Sequence, residues 1–258
     1  MIKEGIEIQE GVALGSAVRS NFSKAYLQVR ELEQRVYTDE VVTQLPYLSK
    51  EHAQHQEWNR RQKSTQRFLD YLSVLPFDKL RKTTKNTSLL EIGCGNGWFT
   101  ARCAAHVNQA IGVDVNLQEL KQAARLFLKP NLQFLYWDVF SASPFTQKFD
   151  IILLNASVQY FPDFKKLKSR LLELSTPNGE IHIIDSPFYQ PHEIEEAQKR
   201  TKAYYQKMGV EEMANNYHHH DINELVGFES LYVPETSPLK KLFKGKDMPF
   251  GWYRLINK

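Results

Sequence analysis

Between Thr87 and Ser186 the chain alternates short apolar runs with amphipathic stretches. Ser88–Gly93, Gln109–Val115, Asn131–Trp137, Phe149–Asn155 and Glu180–Asp185 read as five strands. Ile151–Leu154 is apolar on both faces, as a strand buried inside a parallel sheet must be. Helices are expected over about Gly97–His106, Leu117–Leu128 and Asp163–Leu174. Asn116 followed three residues later by Glu119 is a capping-box signal for the second helix, and Pro130 closes it. Pro177-Asn178-Gly179 turns the chain into the fifth strand. Strand and helix alternating in this way predict a doubly wound α/β domain.

The flanks follow other rules. From Ala25 to Leu45 the apolar set Leu27, Val29, Leu32, Val36, Val41 and Leu45 keeps helical spacing, with some drift. Trp58, Phe68, Leu69, Leu72 and Leu75 do the same between Glu51 and Leu75, and Pro46 separates the two stretches. Beyond Pro187 a helix is expected over His192–Met208, ahead of the aromatic and histidine-rich Asn215–His220. Asp221 can cap a short helix through Val226 that Gly227 ends. Phe228–Val233 and Phe250–Ile256 then read as two strands, antiparallel neighbours at one sheet edge. The expected whole is one domain over 1–258: a helical cap (1–85), a core (86–186), a helical lid insertion (187–220) and a C-terminal strand pair (221–258). Its sheet has seven strands, the last of them antiparallel.

Composition adds mainly exclusions. With 42% hydrophobic and 24% charged residues the chain matches soluble globular proteins. No run approaches the ~18 apolar residues of a membrane span, and charges in MIKEGIEIQEGVALG interrupt what a signal peptide needs apolar. A cytoplasmic location without membrane partners is the expectation. A net charge of +3 is too small to suggest a nucleic-acid partner. Two lysine-rich clusters, Leu239–Lys246 and the group Lys165, Lys166, Lys168 and Arg170, read as a surface loop and the wet face of a helix. Cys94 and Cys103 fall in a loop and the helix after it, so neither a disulfide nor a structural metal site is expected.

The chemistry gathers at the strand ends. Glu91-Ile92-Gly93-Cys94-Gly95-Asn96-Gly97 joins an apolar strand to a helix, where glycines let the backbone turn tightly and approach a ligand. Open α/β sheets bind nucleotide-like ligands at this rim. Asp114 ends the second strand, where a carboxylate can accept hydrogen bonds from ribose hydroxyls. Asp138 ends the third strand and Asn155 the fourth.

Taken together, LLEIGCGNGWFT (Leu89–Thr100), AIGVDVN (Ala110–Asn116), WDVF (Trp137–Phe140) and FDIILLNASVQYF (Phe149–Phe161) resemble the successive motifs of class I S-adenosylmethionine-dependent methyltransferases. A looser echo lies in ELVGFESLYV, within Asn223–Val233. The resemblance implies a Rossmann-like fold and S-adenosyl-L-methionine as cofactor. It further implies that Gly93, Gly95 and Gly97 line the methionine moiety while Glu91 fixes their loop. Asp114 would take the ribose, Val115 and Val139 would sandwich the adenine, Asp138 would hold its amino group, and Asn155 would stand near the methionine amino group. Asn155-Ala156-Ser157-Val158 departs from the N/D-P-P-Y/F tetrapeptide of base N-methyltransferases, which disfavours bases in DNA as acceptors.

Methyl transfer from a sulfonium requires collinear reactants in a dry site, and a base only where the acceptor carries a proton. The acceptor is expected to be a small molecule enclosed by the two helical flanks. The alternatives are RNA or protein methylation and a catalytically silent cofactor-binding protein. Acceptor-side candidates are Tyr160, beside Gln159, and the histidines His218 and His219 of the Tyr217–His220 run. Tyr37 is a candidate for capping the cofactor from the N-terminal helices. Trp98, His106 and His182 read as packing, helix-surface and strand-surface residues respectively. The sequence sets no oligomeric state.

Overall fold

A computed structural model describes residues 2–16, 20–74, 87–234 and 247–258. Leu239–Lys246 lies outside the described residues.

Five parallel strands form the centre of the sheet: β3 (Ser88–Ile92), β4 (Gln109–Asp114), β5 (Leu132–Tyr136), β6 (Phe149–Asn155) and β7 (Ser175–Ile184). Every residue of β3 is buried, because helices cover one of its faces and apolar loop and helix residues the other. β8 (Glu229–Tyr232) and β9 (Trp252–Ile256) pair antiparallel, and β9 runs antiparallel to β7. The seven expected strands thus stand in the order β5-β4-β3-β6-β7-β9-β8, which places the chain reversal between β3 and β6. Ligands bind at such a switch point, outside the carboxyl ends of the strands.

Two short strands extend this set. β1 (Ile8–Gln9) and β2 (Val12–Leu14) form a hairpin, and β2 lies parallel to β5 at the sheet edge. Its turn, Glu10-Gly11, has both residues at positive φ, 48° and 81°. Such a turn normally advertises itself by Asn-Gly, and glutamate gives no such signal.

Helices α3 (His55–Val74), α4 (Trp98–Cys103) and α5 (Leu117–Leu126) cover one face of the sheet, with Phe68, Leu72, Phe99 and Leu120 packed against it. Helix α6 (Phe164–Leu174) covers the other through Phe164, Leu167 and Leu171. Asn116 caps α5 as its spacing predicts, accepting the Glu119 N–H at 3.3 Å. The Ala25–Leu45 stretch divides into α1 (Ser20–Leu32) and α2 (Asp39–Gln44), with Gln34 at φ 56° between them. α1 leaves the sheet faces and lies across the strand-end rim, where Ser23 donates to the Val115 carbonyl at 2.6 Å. Its Ala25 and Val29 join a separate apolar cluster with Tyr205 of α7 (Ile194–Lys207) and with Val210 and Met213 just beyond it. Asp221 caps the turn Ile222–Leu225 in a complete box with Glu224.

His182 corrects an expectation. It is fully buried, accepting from the Trp252 indole at 3.0 Å and bonded to Glu180 at 3.0 Å, because β9 and α3 close over it. Burial lowers its pKa. Both cysteines are free and buried, and burial pushes their thiols up. Lys165 and Lys166 of α6 are exposed, whereas Arg170 bonds the Val139 and Ser141 carbonyls and Lys168 the Val226 carbonyl. No helix among the described residues is long and apolar enough to cross a membrane.

Candidate functional site

The rim is built outward from the loop after β3. Gly93 sits at φ 76°, and a Cβ there would come within 2.6 Å of the Ser157 side chain, so only glycine lets the loop approach β6 so closely. Ser157 in turn donates to the Ile92 carbonyl at 2.8 Å. Asp114, at the end of β4, spans the next gap. One carboxylate oxygen accepts the Gly95 N–H and the other the Asn116 N–H, each at 2.8 Å. Burial pushes its carboxyl up, and the three backbone N–H groups around it pull the other way. Glu91 lies behind the loop, accepting the Thr100 hydroxyl at 2.5 Å, and burial raises its pKa to about 8.

Above this floor is a cavity of about 560 Å³, within the usual range for small-ligand sites. Glu91, Gly93, Gly95, Asp114, Val115, Asp138, Val139 and Asn155 all line it, as does Tyr160. Asn155 is buried, and its Oδ1 has no hydrogen-bond partner although most buried carbonyls find one. Asp138 receives the Phe140 N–H at 2.9 Å. Gly97 is placed otherwise: it is absent from the lining, and its α-carbon faces Phe134 and Ala123 of the core.

The histidines depart further. His218 and His219 do not line this cavity but a separate groove beside α7. The segment is pinned in extended form, its His218 N–H donating to the Gln159 carbonyl at 2.7 Å. His219 bonds the Thr201 hydroxyl at 2.8 Å, and His220 is buried at 3.2 Å from the Val158 carbonyl. The run therefore holds α7 against the end of β6, and Tyr217 is the member that reaches the cavity. Tyr37 stands one layer back, accepting the Trp58 indole N–H at 2.9 Å, while Trp58 and Trp98 meet edge to face at 5.2 Å on the wall. Ser64 of α3 donates to Asp185 at 2.8 Å, and burial raises that carboxyl to about 6.

Three lining residues carry no signal in the sequence. Arg30 of α1 and Arg61 of α3 read as ordinary solvent-facing positions until their helices are laid over the rim. Glu119 reads as a capping residue, yet its carboxylate turns into the cavity, takes the Asn116 amide at 3.1 Å and faces Gly95. Burial raises it to about 7, with Arg30 opposing. The phenols of Tyr26 and Tyr160 are also pushed up by burial.

Residues 83–239 match the family model described as a methyltransferase domain. An uncharacterized methyltransferase of Mycobacterium bovis is 29% identical over 96 residues, covering 37% of this chain and 49% of its own. The malonyl-acyl-carrier-protein O-methyltransferase of Halalkalibacterium halodurans is 30% identical over 122 residues, 44% of this chain and 45% of its own. The chain thus spans about half the length of these curated relatives. Among solved structures, magnesium protoporphyrin IX methyltransferase of Synechocystis with bound S-adenosylmethionine superposes with a TM-score of 0.53. That match covers 95% of this chain and 100% of the other at 12% identity, a likeness of fold.

Proposed function

Because the chain belongs to the methyltransferase-domain family, we propose that it transfers the methyl group of S-adenosyl-L-methionine to a small-molecule acceptor in the cavity under α1, α3 and α7. The observation that carries this reading is the row of strand-end groups opening into one cavity: the Gly93 loop, Asp114, Asp138 and the unpartnered Asn155 carbonyl. They fit this cofactor group by group. Asp114, already fixed by two N–H bonds, keeps lone pairs for ribose hydroxyls. The orphan Oδ1 of Asn155 suits an ammonium donor. Glu119 puts a further carboxyl beside the loop, which suits a donor with two positive centres, while Glu91 stands behind the loop as a buried acid.

The cofactor supplies an activated methyl on a sulfonium. The chain's own residues hold and shield. The cap and lid helices cover the rim and exclude water, which strengthens every polar contact beneath them. Orientation of this kind is worth up to ~7–11 kcal/mol. Tyr160 and Gln159, at the end of β6, face the acceptor side. Lys168 and Arg170 of α6 are engaged with carbonyls of their own chain, which leaves Lys165 and Lys166 as the only exposed basic residues on that helix and favours a small acceptor over RNA.

Calorimetry with S-adenosylmethionine and its demethylated product tests the reading. Both should bind, and Asp114→Ala should weaken each by about 2 kcal/mol, since bonds to a charged acceptor are lost. Wild-type protein that binds neither would sink the proposal, and an unchanged Asp114→Ala affinity would move the ribose elsewhere.

A further inference from the structure

The cavity has two electrical halves. Four of its acids, Glu91, Asp114, Glu119 and Asp138, stand at the glycine loop and the ends of β3, β4 and β5, and the one acid on the helix side, Glu33, is paired with Arg35 at 3.2 Å. Arg30 and Arg61 enter from the helices above, and both act electrostatically on the Tyr160 phenol beyond the end of β6. Neither guanidinium is closed by a short hydrogen-bonded ion pair, although Glu119 acts electrostatically on Arg30 and Asp185 on Arg61. Arg35 beside them is fully engaged, with Glu57 taking both of its terminal nitrogens at 2.8 and 2.5 Å. That leaves Arg61 only a 3.5 Å approach to the same carboxylate, and its buried Nε has no hydrogen bond. Arg30 makes no side-chain hydrogen bond or ion pair among the described residues. Its Nε is buried without a partner, and the rings of Tyr26 and Tyr37 flank it at 5.9 Å. A buried cation is costly unless an anion joins it.

Among the described residues the lining holds no free base for a protonated acceptor: its carboxylates are already engaged, Glu33 by Arg35 at 3.2 Å and the Tyr204 hydroxyl at 2.5 Å, Asp114 by two backbone N–H groups and Asp138 by the Phe140 N–H. No histidine or lysine lines the cavity among the described residues. Glu91 is engaged by Thr100 and Glu119 by Asn116, both on the loop side, and the tyrosine phenols are held protonated by burial. An alcohol, a phenol or an ammonium could deliver its proton only to a carboxylate that would have to give up a partner it already holds. A carboxylate has none to deliver.

We propose, on the basis of the donor reading above, that the acceptor is a small carboxylic acid drawn to Arg61 and Arg30 and methylated on oxygen to its methyl ester. A carboxylate oxygen lone pair forms the new O–CH3 bond while the S–CH3 bond breaks and its electron pair passes to sulfur. The positive charge of the sulfonium and the negative charge of the carboxylate disappear together, and no proton moves. The walls beside the arginines, Phe22, Tyr26, Tyr160, Tyr205 and Tyr217, suit an apolar or aromatic body carrying that carboxylate.

The test incubates the protein with S-adenosylmethionine tritiated on the methyl and a deproteinised small-molecule extract of the source cells. Label that enters a small molecule and leaves it as methanol in mild alkali supports the inference. Alkali-stable label overturns it while leaving the methyltransferase reading intact. No transfer, with the demethylated cofactor still bound in calorimetry, overturns both the inference and the transferase reading. On the labelled acceptor, Arg61→Gln should raise KM roughly 10- to 100-fold, the loss of a charged hydrogen bond. Its affinity for the demethylated cofactor should stay within about twofold of wild type. A parallel loss of that affinity would assign Arg61 to the cofactor's own carboxylate and overturn the inference. Arg61→Lys, which keeps the charge without the planar fork, should fall between. It serves as the readout if thermal unfolding shows Arg61→Gln to be misfolded.

Discussion

Gly97→Ala should cost the protein about 3 kcal/mol of stability. Gly97 begins α4 at φ 70° and ψ 4°, a conformation that costs an L-residue roughly 1–2 kcal/mol. A Cβ there would lie 2.5 Å from the Phe134 ring and 2.7 Å from the Ala123 Cβ. Both neighbours are buried in the core between β5 and α5, and overpacking such a site costs roughly 1–3 kcal/mol more. Thermal unfolding should show a midpoint lower by about 6–12 °C for a domain of this size. Gly209→Ala separates the two contributions, because Gly209 has φ 71° and no atom within 4 Å of a built Cβ. It should lose only the backbone part. Equal losses in the two variants would show that Phe134 turns aside and that the collision is without weight.

The second large effect depends on pH. In the folded chain Glu91 keeps its proton up to about pH 8, against an ordinary value of 4.5, because it is fully enclosed. Between those values the folded state binds more protons than the unfolded state, so its stability falls as pH rises. From this group alone the fall is on the order of 3 kcal/mol between pH 4.5 and 7. Glu91→Gln removes the titration and keeps an acceptor for the Thr100 hydroxyl. Relative to wild type, the variant should therefore gain stability steadily from pH 5 to pH 8 when the two are unfolded in urea. A difference that does not change with pH would mean that Glu91 ionises as an exposed glutamate does.

These residues also show what the chain reveals in one dimension. The strands were readable because a parallel sheet buries both faces, and runs such as Ile151–Leu154 have no other use. Asp114, Asp138 and Asn155 could be found because the end of a strand is itself legible, and the topology then brings strand ends together. Gly97 shares its spacing with Gly93 and Gly95 but faces the core, a difference set by Phe134 from a distant strand. His182 lies in a strand pattern whose neighbours, β9 and α3, come from opposite ends of the chain. The break between α1 and α2 falls at Gln34, without glycine or proline to mark it. Arg30 and Arg61 were hidden for a related reason: an arginine on an amphipathic helix reads as facing water, and only the placement of α1 and α3 turns it inward.

The hairpin of β1 and β2 bears on more than the outline of the sheet. β5 would otherwise be an outermost strand, with Leu132, Phe134 and Tyr136 on a row of unpaired backbone groups able to recruit another chain. β2 occupies three of those positions and leaves β1, two residues long, as the new border. The same segment continues through Gly15 and Ser16, whose carbonyl receives the Asp138 N–H at 3.0 Å. Protection against fibril-like self-association and the shape of the Asp138 end of the cavity are therefore tied to one stretch of chain. Shortening that stretch would be felt as lost solubility and as lost affinity together.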